Sequence, residues 1–381
     1  MKLHEVKTLE VNIHGRRVGT LAETSERTIA FKYHPSWLED GFSVNPFSLP
    51  LEERAFVPKL EPFQGLFGVF SDSLPDGWGR LLVDRVMIKH RIDPRKTGSL
   101  KRLGIVGSSG MGALTYHPEV AFQNKEPLQD LDRIAEECKQ ILVSDYSEDL
   151  DELFMLGGSS GGARPKILTK VDGEEWIIKF PSSEDKANIG LMEYEYSLCA
   201  KKCGIEMTET KLFPSAKNEG YFGTKRFDRV VNDMGAVKRR HMISASGLLE
   251  TSHRVPNLDY NLLMKLIMSL TKDYYEIEKL YRLMCFNVFA HNRDDHSKNF
   301  SFIYNEDERK WQLSPAYDLT FSYSIGGEHA TTVNGNGVNP GEKELLAVAS
   351  QIKLSERKAK DIIAEVRECV ECDLGRWLYH K

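Results

Sequence analysis

The 381-residue sequence predicts an α+β protein of two lobes with a cleft between them. Two patterns and the length carry that expectation. Short strands separated by turns dominate the first half, and from about residue 258 the apolar residues fall mostly at helical spacing. Strands followed by a helix-rich half read as α+β rather than as alternating βαβ units. The chain is also longer than the roughly 250–300 residues at which a single core stops growing.

The elements follow in order. Leu9, Val11 and Ile13, then Gly15-Arg16-Arg17, then Val18 and Leu21, alternate around a turn as in a hairpin. Residues 28–33 read as another short strand, and Phe47-Ser48-Leu49-Pro50-Leu51 is too Pro-broken for a helix. Segment 65–76 ends in a turn, and a helix should run from Gly77 to about His90. The glycine-dense stretch Gly107–Leu114 fits no dinucleotide-binding pattern. Residues 127–155, rich in charges and helix formers, read as one or two amphipathic helices. They link a small N-terminal lobe to the main domain. Lys166–Val171 and Glu175–Phe180 flank Asp172-Gly173, a two-residue hairpin signal. A helix over about 188–203 carries Leu191, Tyr194 and Leu198 on one face. Ile277, Leu280, Tyr281, Met284 and Val288 form a helical core stripe, and 342–380 is again helical.

Composition excludes several classes. At 41% hydrophobic and 28% charged, the chain is balanced like a globular domain. No run approaches the roughly 18–20 apolar residues of a membrane span. Residues Met1–Lys7 lack the apolar core of a signal peptide, so the cytoplasm is the expected compartment. A formal net charge of −5 disfavours direct nucleic-acid binding. The basic stretches Lys238–His241 and Lys89–Arg102 read as solvated surface. Six cysteines are scattered, with Cys369 and Cys372 a lone CxxC and Cys199 and Cys203 one helical turn apart. A zinc site needs two ligand pairs or suitably spaced histidines, neither of which is evident, so reduced thiols are expected.

Phosphoryl transfer asks little of a protein beyond placement: a cation for the α/β-phosphates, oxygen ligands for Mg²⁺, and a carboxylate to orient the attacking hydroxyl. In protein kinases the carboxylate precedes a metal-binding Asn by five residues. Here Asp294-Asp295-His296-Ser297-Lys298-Asn299 has that spacing, on a loop between a helix and a strand-like Phe300–Tyr304. A solvated polar turn is the plain alternative for this segment alone. Nineteen residues beyond Asn299, Asp318 suits a second metal carboxylate.

Upstream, Trp176-Ile177-Ile178-Lys179-Phe180 puts Lys179 in an apolar strand, a costly place for a charge unless an anion meets it. The alternative is a strand-end lysine reaching water. Glu193, on the following helix, could pair with Lys179, with Glu195 as a rival on another face. The loop Gly157-Gly158-Ser159-Ser160-Gly161-Gly162-Ala163-Arg164-Pro165-Lys166 could wrap amides round a phosphate, although it is not a Walker A loop. A flexible Gly/Ser linker is the bland reading. Its position just before the lysine-bearing hairpin favours the phosphate loop.

Together with Lys225-Arg226-Phe227-Asp228-Arg229, Leu313-Ser314-Pro315-Ala316-Tyr317-Asp318-Leu319, Phe47-Ser48-Leu49-Pro50 and Leu74-Pro75-Asp76-Gly77, these motifs resemble the HipA family over nearly the whole chain. That family comprises serine/threonine-kinase toxins of bacterial toxin–antitoxin pairs. The resemblance implies a bilobed, protein-kinase-like (phosphatidylinositol-kinase-like) fold with a small N-terminal β-rich subdomain (1–125), an N-lobe-like region (126–255) and a helical C-lobe (256–381). It implies ATP and Mg²⁺ as cofactors and a HipB-like DNA-binding antitoxin as partner, with DNA met only through it. The implied substrate is translation-linked, such as an aminoacyl-tRNA synthetase.

Carried over by position, Asp294 is catalytic, Asn299 and Asp318 hold Mg²⁺, and Lys179 contacts phosphates. Lys225 to Phe227 line the adenine hinge, and His296 and Lys298 lie near the transferred phosphate. The resemblance also places Ser159, Ser160 and Gly161 of the Gly-rich loop at the nucleotide and implies inhibitory autophosphorylation of a serine in that loop, with Ser159 fitting by position and Ser160 as the alternative. A phosphate added there would repel the phosphates of ATP. Two other functions compete: a small-molecule or lipid kinase of the same fold, and a catalytically weak regulator acting through the antitoxin.

Overall fold

A computed structural model describes residues 6–120, 130–144, 149–231, 235–323 and 325–379. The class is α+β, as expected, and the chain divides into two compact units. The first comprises Met1–Gly190, Leu212–Ile243 and Gly247–Thr251; the second comprises Leu191–Lys211, Ser244–Ser246 and Ser252–Lys381.

In the first unit, strands β1 (Thr8–Ile13), β2 (Arg16–Glu23), β3 (Ile29–Tyr33), β4 (Ala55–Phe56) and β5 (Thr115–His117) form a sheet in the order β4-β3-β2-β1-β5. Leu9, Val11 and Ile13 point into its core, and Gly15 at φ +75° makes the expected hairpin turn. A second sheet contains β6 (Lys166–Val171), β7 (Glu174–Lys179), β8 (Thr210–Phe213) and β9 (Tyr221–Lys225) in the order β6-β7-β9-β8. Asp172 and Gly173 both have positive φ, as the tight hairpin turn requires, and this sets the register Lys166 opposite Lys179.

Helices Gly77–Lys89, Leu131–Val143 and Leu150–Gly157 bury Trp78, Leu82, Ile134, Leu153 and Phe154 in one core with Ile167, Ile178 and Phe180 of the β6–β7 region. The amphipathic stretch expected at 127–155 is therefore two helices; its residues 127–129 and 145–148 lie outside the described ones.

The second unit is built on helices Tyr260–Thr271, Tyr274–Phe289, Glu342–Gln351 and Glu356–Tyr379, with a Ser301–Asn305/Lys310–Leu313 hairpin. Lys272 ends the first helix in the left-handed region at φ +54°, and Asp273 caps the next by accepting from the Tyr275 N–H at 2.9 Å. The expected stripe Ile277, Leu280, Tyr281, Met284 and Val288 is buried throughout, each side chain contributing about 1.5–3 kcal/mol of transfer free energy.

One expected face is wrong. Helix Ile189–Lys202 buries Glu193, Tyr196, Ser197, Cys199 and Ala200, while Leu191 and Tyr194 are only half-buried and Leu198 is 38% exposed. The polar members of the buried face are satisfied in place. The Tyr196 hydroxyl donates to the Ala290 carbonyl at 2.8 Å, and the Ser197 and Thr210 hydroxyls share a bond of 2.8 Å. A face held partly by hydrogen bonds does not show in an apolar pattern. Among the described residues, no helix is long and apolar enough to cross a membrane.

Candidate functional site

In the second unit, helix Tyr274–Phe289 delivers the chain to the 291–299 loop. His291 follows in the left-handed region at φ +50°, and Asn292 bridges to Ser322. The two aspartates that follow have opposite environments. Asp294 points outward, its side chain 61% exposed, with His296 Nε2 at 4.0 Å. Asp295 is 0% exposed and accepts from the Tyr260 hydroxyl at 2.9 Å, from His329 Nδ1 at 3.1 Å and from the Thr331 N–H at 3.2 Å. Asn287 extends the network by donating to the Tyr260 oxygen and accepting from Asn292, each at 2.9 Å. Burial, then the Asp295 charge, push the Tyr260 phenol well above its ordinary pKa, so it stays a hydrogen-bond donor.

This buried network holds the loop so that Asp294 is presented outward. Sequence reasoning missed Tyr260, Asn287, His329 and Thr331; the one visible signal was Asn287 inside an apolar helix. Asp295→Ala strips the acceptor from three buried donors and should cost about 3 kcal/mol by denaturant titration. A loss under about 0.5 kcal/mol, the range of an ordinary surface change, would contradict that role.

Asn299 closes the loop, its amide donating to the Asp294 carbonyl at 2.6 Å. His296 caps the Ser297–Asn299 turn by accepting from the Lys298 N–H at 3.3 Å, and its ring lies 5.3 Å from that of His253. Tyr317, just before Asp318, donates to the carbonyl of Lys298, just before Asn299, at 2.5 Å. Asp318 itself adopts φ +58°, where a non-glycine residue costs about 1 kcal/mol or more. The structure thus brings Asp294, His296, Lys298, Asn299 and the Asp318 segment together within this unit. Glu193 is 2% exposed on helix Ile189–Lys202. Glu195, its rival in sequence, accepts from Arg376 Nε at 3.0 Å and Trp377 Nε1 at 2.8 Å.

In the first unit, the glycine-rich loop leaves helix Leu150–Gly157 and leads into β6. The Ser160 hydroxyl donates to the Gly157 carbonyl at 2.5 Å and is 2% exposed, whereas half-exposed Ser159 donates to the Ser109 carbonyl at 2.9 Å. Gly161 is exposed; its carbonyl accepts from Lys166 Nζ at 2.6 Å. The Gly162 N–H donates to Asp76, and the Gly162 carbonyl accepts from the Trp78 N–H at 2.9 Å. Gly79 lets the helix start approach, since a Cβ there would overlap the Ser160 carbonyl oxygen. The Leu74–Gly79 motif therefore grips the loop directly.

Lys179 ends β7, half-buried, with Nζ 5.6 Å from the centroid of the Phe222 ring. Lys225 pairs with Glu174 on the neighbouring strand, and Phe227 is half-buried. Around them lies a charged knot. Buried Asp228 accepts from Arg226 Nη2 at 2.8 Å, Arg229 Nη1 at 2.7 Å and the Gly112 N–H at 2.6 Å. Arg229 and Arg239 both donate to the Gly110 and Gly112 carbonyls. The glycine-dense stretch near residue 110 is thus an acceptor loop for arginines, a use its sequence did not reveal.

A family model described as the HipA-like C-terminal domain matches residues 158–373, and one for the HipA N-terminal domain matches residues 9–117. "Putative kinase Y4dM" of Sinorhizobium fredii is 27% identical over 396 residues, covering 98% of this chain and 92% of that protein. "Putative kinase Y4mE" of the same organism is 26% identical over 346 residues, covering 82% and 77%. Among solved structures, a chain of the Shewanella oneidensis toxin–antitoxin complex of HipA, HipB and operator DNA superposes with a TM-score of 0.71 at 18% identity. The match covers 97% of this chain and 91% of that one, and establishes a shared fold.

Proposed function

Because the chain belongs to the HipA family, we propose that it is an ATP-dependent serine/threonine-protein kinase and the toxin of a toxin–antitoxin pair. The observation that carries the reading is the outward Asp294 beside Asn299 and the Asp318 segment, on a loop fixed from below by buried Asp295. Asp294 orients the acceptor hydroxyl and takes its proton. Asn299 and Asp318 would hold Mg²⁺: both offer the oxygen ligands this hard cation prefers, and the strained backbone at Asp318 fits a residue kept for function rather than stability. Once bound, the ion neutralises charge on the phosphate oxygens. His296 and Lys298 stand near the transferred group.

The first unit supplies the nucleotide-holding groups: Lys179 for the phosphates, the amides of the 157–162 loop, and the Lys225–Phe227 stretch for adenine. Glu193 is a further candidate for the nucleotide site. The functional division is 1–125, 126–255 and 256–381. The Shewanella neighbour, complexed with HipB and operator DNA, supports a HipB-like antitoxin as partner here; by our reading DNA is met only through that antitoxin. The substrate is a translation-linked protein, an aminoacyl-tRNA synthetase by family resemblance, and the compartment is the cytoplasm.

Loop-serine autophosphorylation silences the enzyme. Ser159 is its site, because Ser160 is buried and bonded to Gly157. Incubating the protein with γ-labelled ATP and Mg²⁺ should place label on Ser159, as read by phosphopeptide mapping. Absence of both label and calorimetric ATP binding would overturn the kinase reading and leave a regulator.

A further inference from the structure

We propose that Cys199, Cys203 and Cys369 form a binding site for a thiophilic metal ion, Zn²⁺ in the first instance, inside the second unit. Cys199 on helix Ile189–Lys202 and Cys203 just past its end stand one turn apart, and Cys369 reaches them from helix Glu356–Tyr379. Their three sulfurs lie within 4.8 Å of one another, with Cys199 and Cys369 at 3.9 Å. Sulfurs sharing a tetrahedral Zn²⁺ at 2.3 Å stand about 3.8 Å apart, so the cluster needs only a small contraction to enclose the ion.

Three cysteine ligands with a fourth position left open is a coordination set that Zn²⁺ accepts. Cys199 and Cys203 are buried and Cys369 half-buried, which leaves one side for entry and for a water as fourth ligand. Each thiol gives up its proton on binding, so three thiolates and one Zn²⁺ carry a net charge of −1. Lys202, between Cys199 and Cys203 in the chain, is paired with Asp373 at 2.7 Å. Without an ion the hydrogen bond to Cys203 and burial push the Cys199 thiol up. A disulfide is the rival fate of two close thiols, but it needs the sulfurs at about 2.05 Å. The ion would pin the helix carrying Glu193 and Tyr196 to the last helix of the chain.

The CxxC spacing does not point here: Cys372 is exposed and stands apart from the cluster. The test uses full-length protein, reduced and freed of metal by chelation, titrated with Co²⁺ as a spectroscopic probe. One equivalent should bind with the near-ultraviolet charge-transfer band of thiolate–cobalt bonds, and one equivalent of Zn²⁺ should bleach it. Cys369→Ala should lose the band while keeping its metal-free melting temperature, and Cys372→Ala should keep the band. No charge-transfer band, a band unchanged in Cys369→Ala, or a Cys199–Cys369 disulfide in the protein as isolated would overturn the assignment.

Discussion

Asp294→Asn should lower the rate of phosphoryl transfer by roughly 10²–10⁴, the usual contribution of a positioned general base, while the melting temperature stays where it was. The expected separation of activity from stability follows from the geometry. The Asp294 side chain is 61% exposed, and Asn299 closes the loop on the Asp294 main-chain carbonyl. The amide of the variant keeps the shape but cannot take the proton of an acceptor hydroxyl. Calorimetry should find ATP affinity within a few-fold of the parent, because the proposed nucleotide-holding groups are other residues. A variant that transfers phosphate at the parental rate would remove Asp294 from the chemistry. The contrast with its neighbour is diagnostic: the Asp295 change described above should damage the fold first.

Asp228→Ala should cost the first unit about 3–5 kcal/mol, because it leaves buried guanidinium groups without their nearest anion. Arg226 and Arg229 both bond to this carboxylate, and Glu175, at 3.3 and 3.4 Å, would remain as their ion-pair partner among the described residues. Burial alone would raise the Asp228 pKa, but Arg226 and then Arg229 outweigh it and hold the carboxyl down at about 2. A carboxyl lowered on folding stabilises the native state above its unfolded pKa near 4 and loses that stabilisation as pH falls towards 2. The pH-linked part is on the order of 2 kcal/mol. Denaturant titrations at neutral pH and near pH 3 check both statements. The parent should weaken more than the variant over that interval, and equal slopes would mean that Asp228 does not drive the acid response.

What was legible in the sequence was local. The Asp172-Gly173 turn fixed its hairpin because two consecutive positive φ values are tolerated by few residue pairs. The Ile277–Val288 stripe announced its buried side because every member is apolar. The Asp294–Asn299 spacing was readable because the turn that joins them is short. What escaped was long-range and polar. Tyr260 and His329 meet at Asp295 from positions 35 and 34 residues away, and nothing in their own neighbourhoods marks that meeting. Helix Ile189–Lys202 was turned the wrong way for the same reason: its inner face is closed by a glutamate, a tyrosine hydroxyl and thiols rather than by leucines. The Lys225–Arg229 motif looked like one feature but divides its labour. Lys225 and Phe227 remain half-buried, whereas Arg226, Asp228 and Arg229 are spent on holding the Gly110–Gly112 loop.

The bond between Asp76 and the Gly162 amide also bears on how any ligand is received. An incoming oxyanion that wants that N–H finds a negative group already there, supplied by the chain itself. Occupancy of the loop is then an exchange of one anion for another, and the freed carboxylate must find water or a cation when it leaves. The strength with which this loop would hold the proposed triphosphate therefore depends on a residue 86 positions upstream as well as on the loop's own glycines.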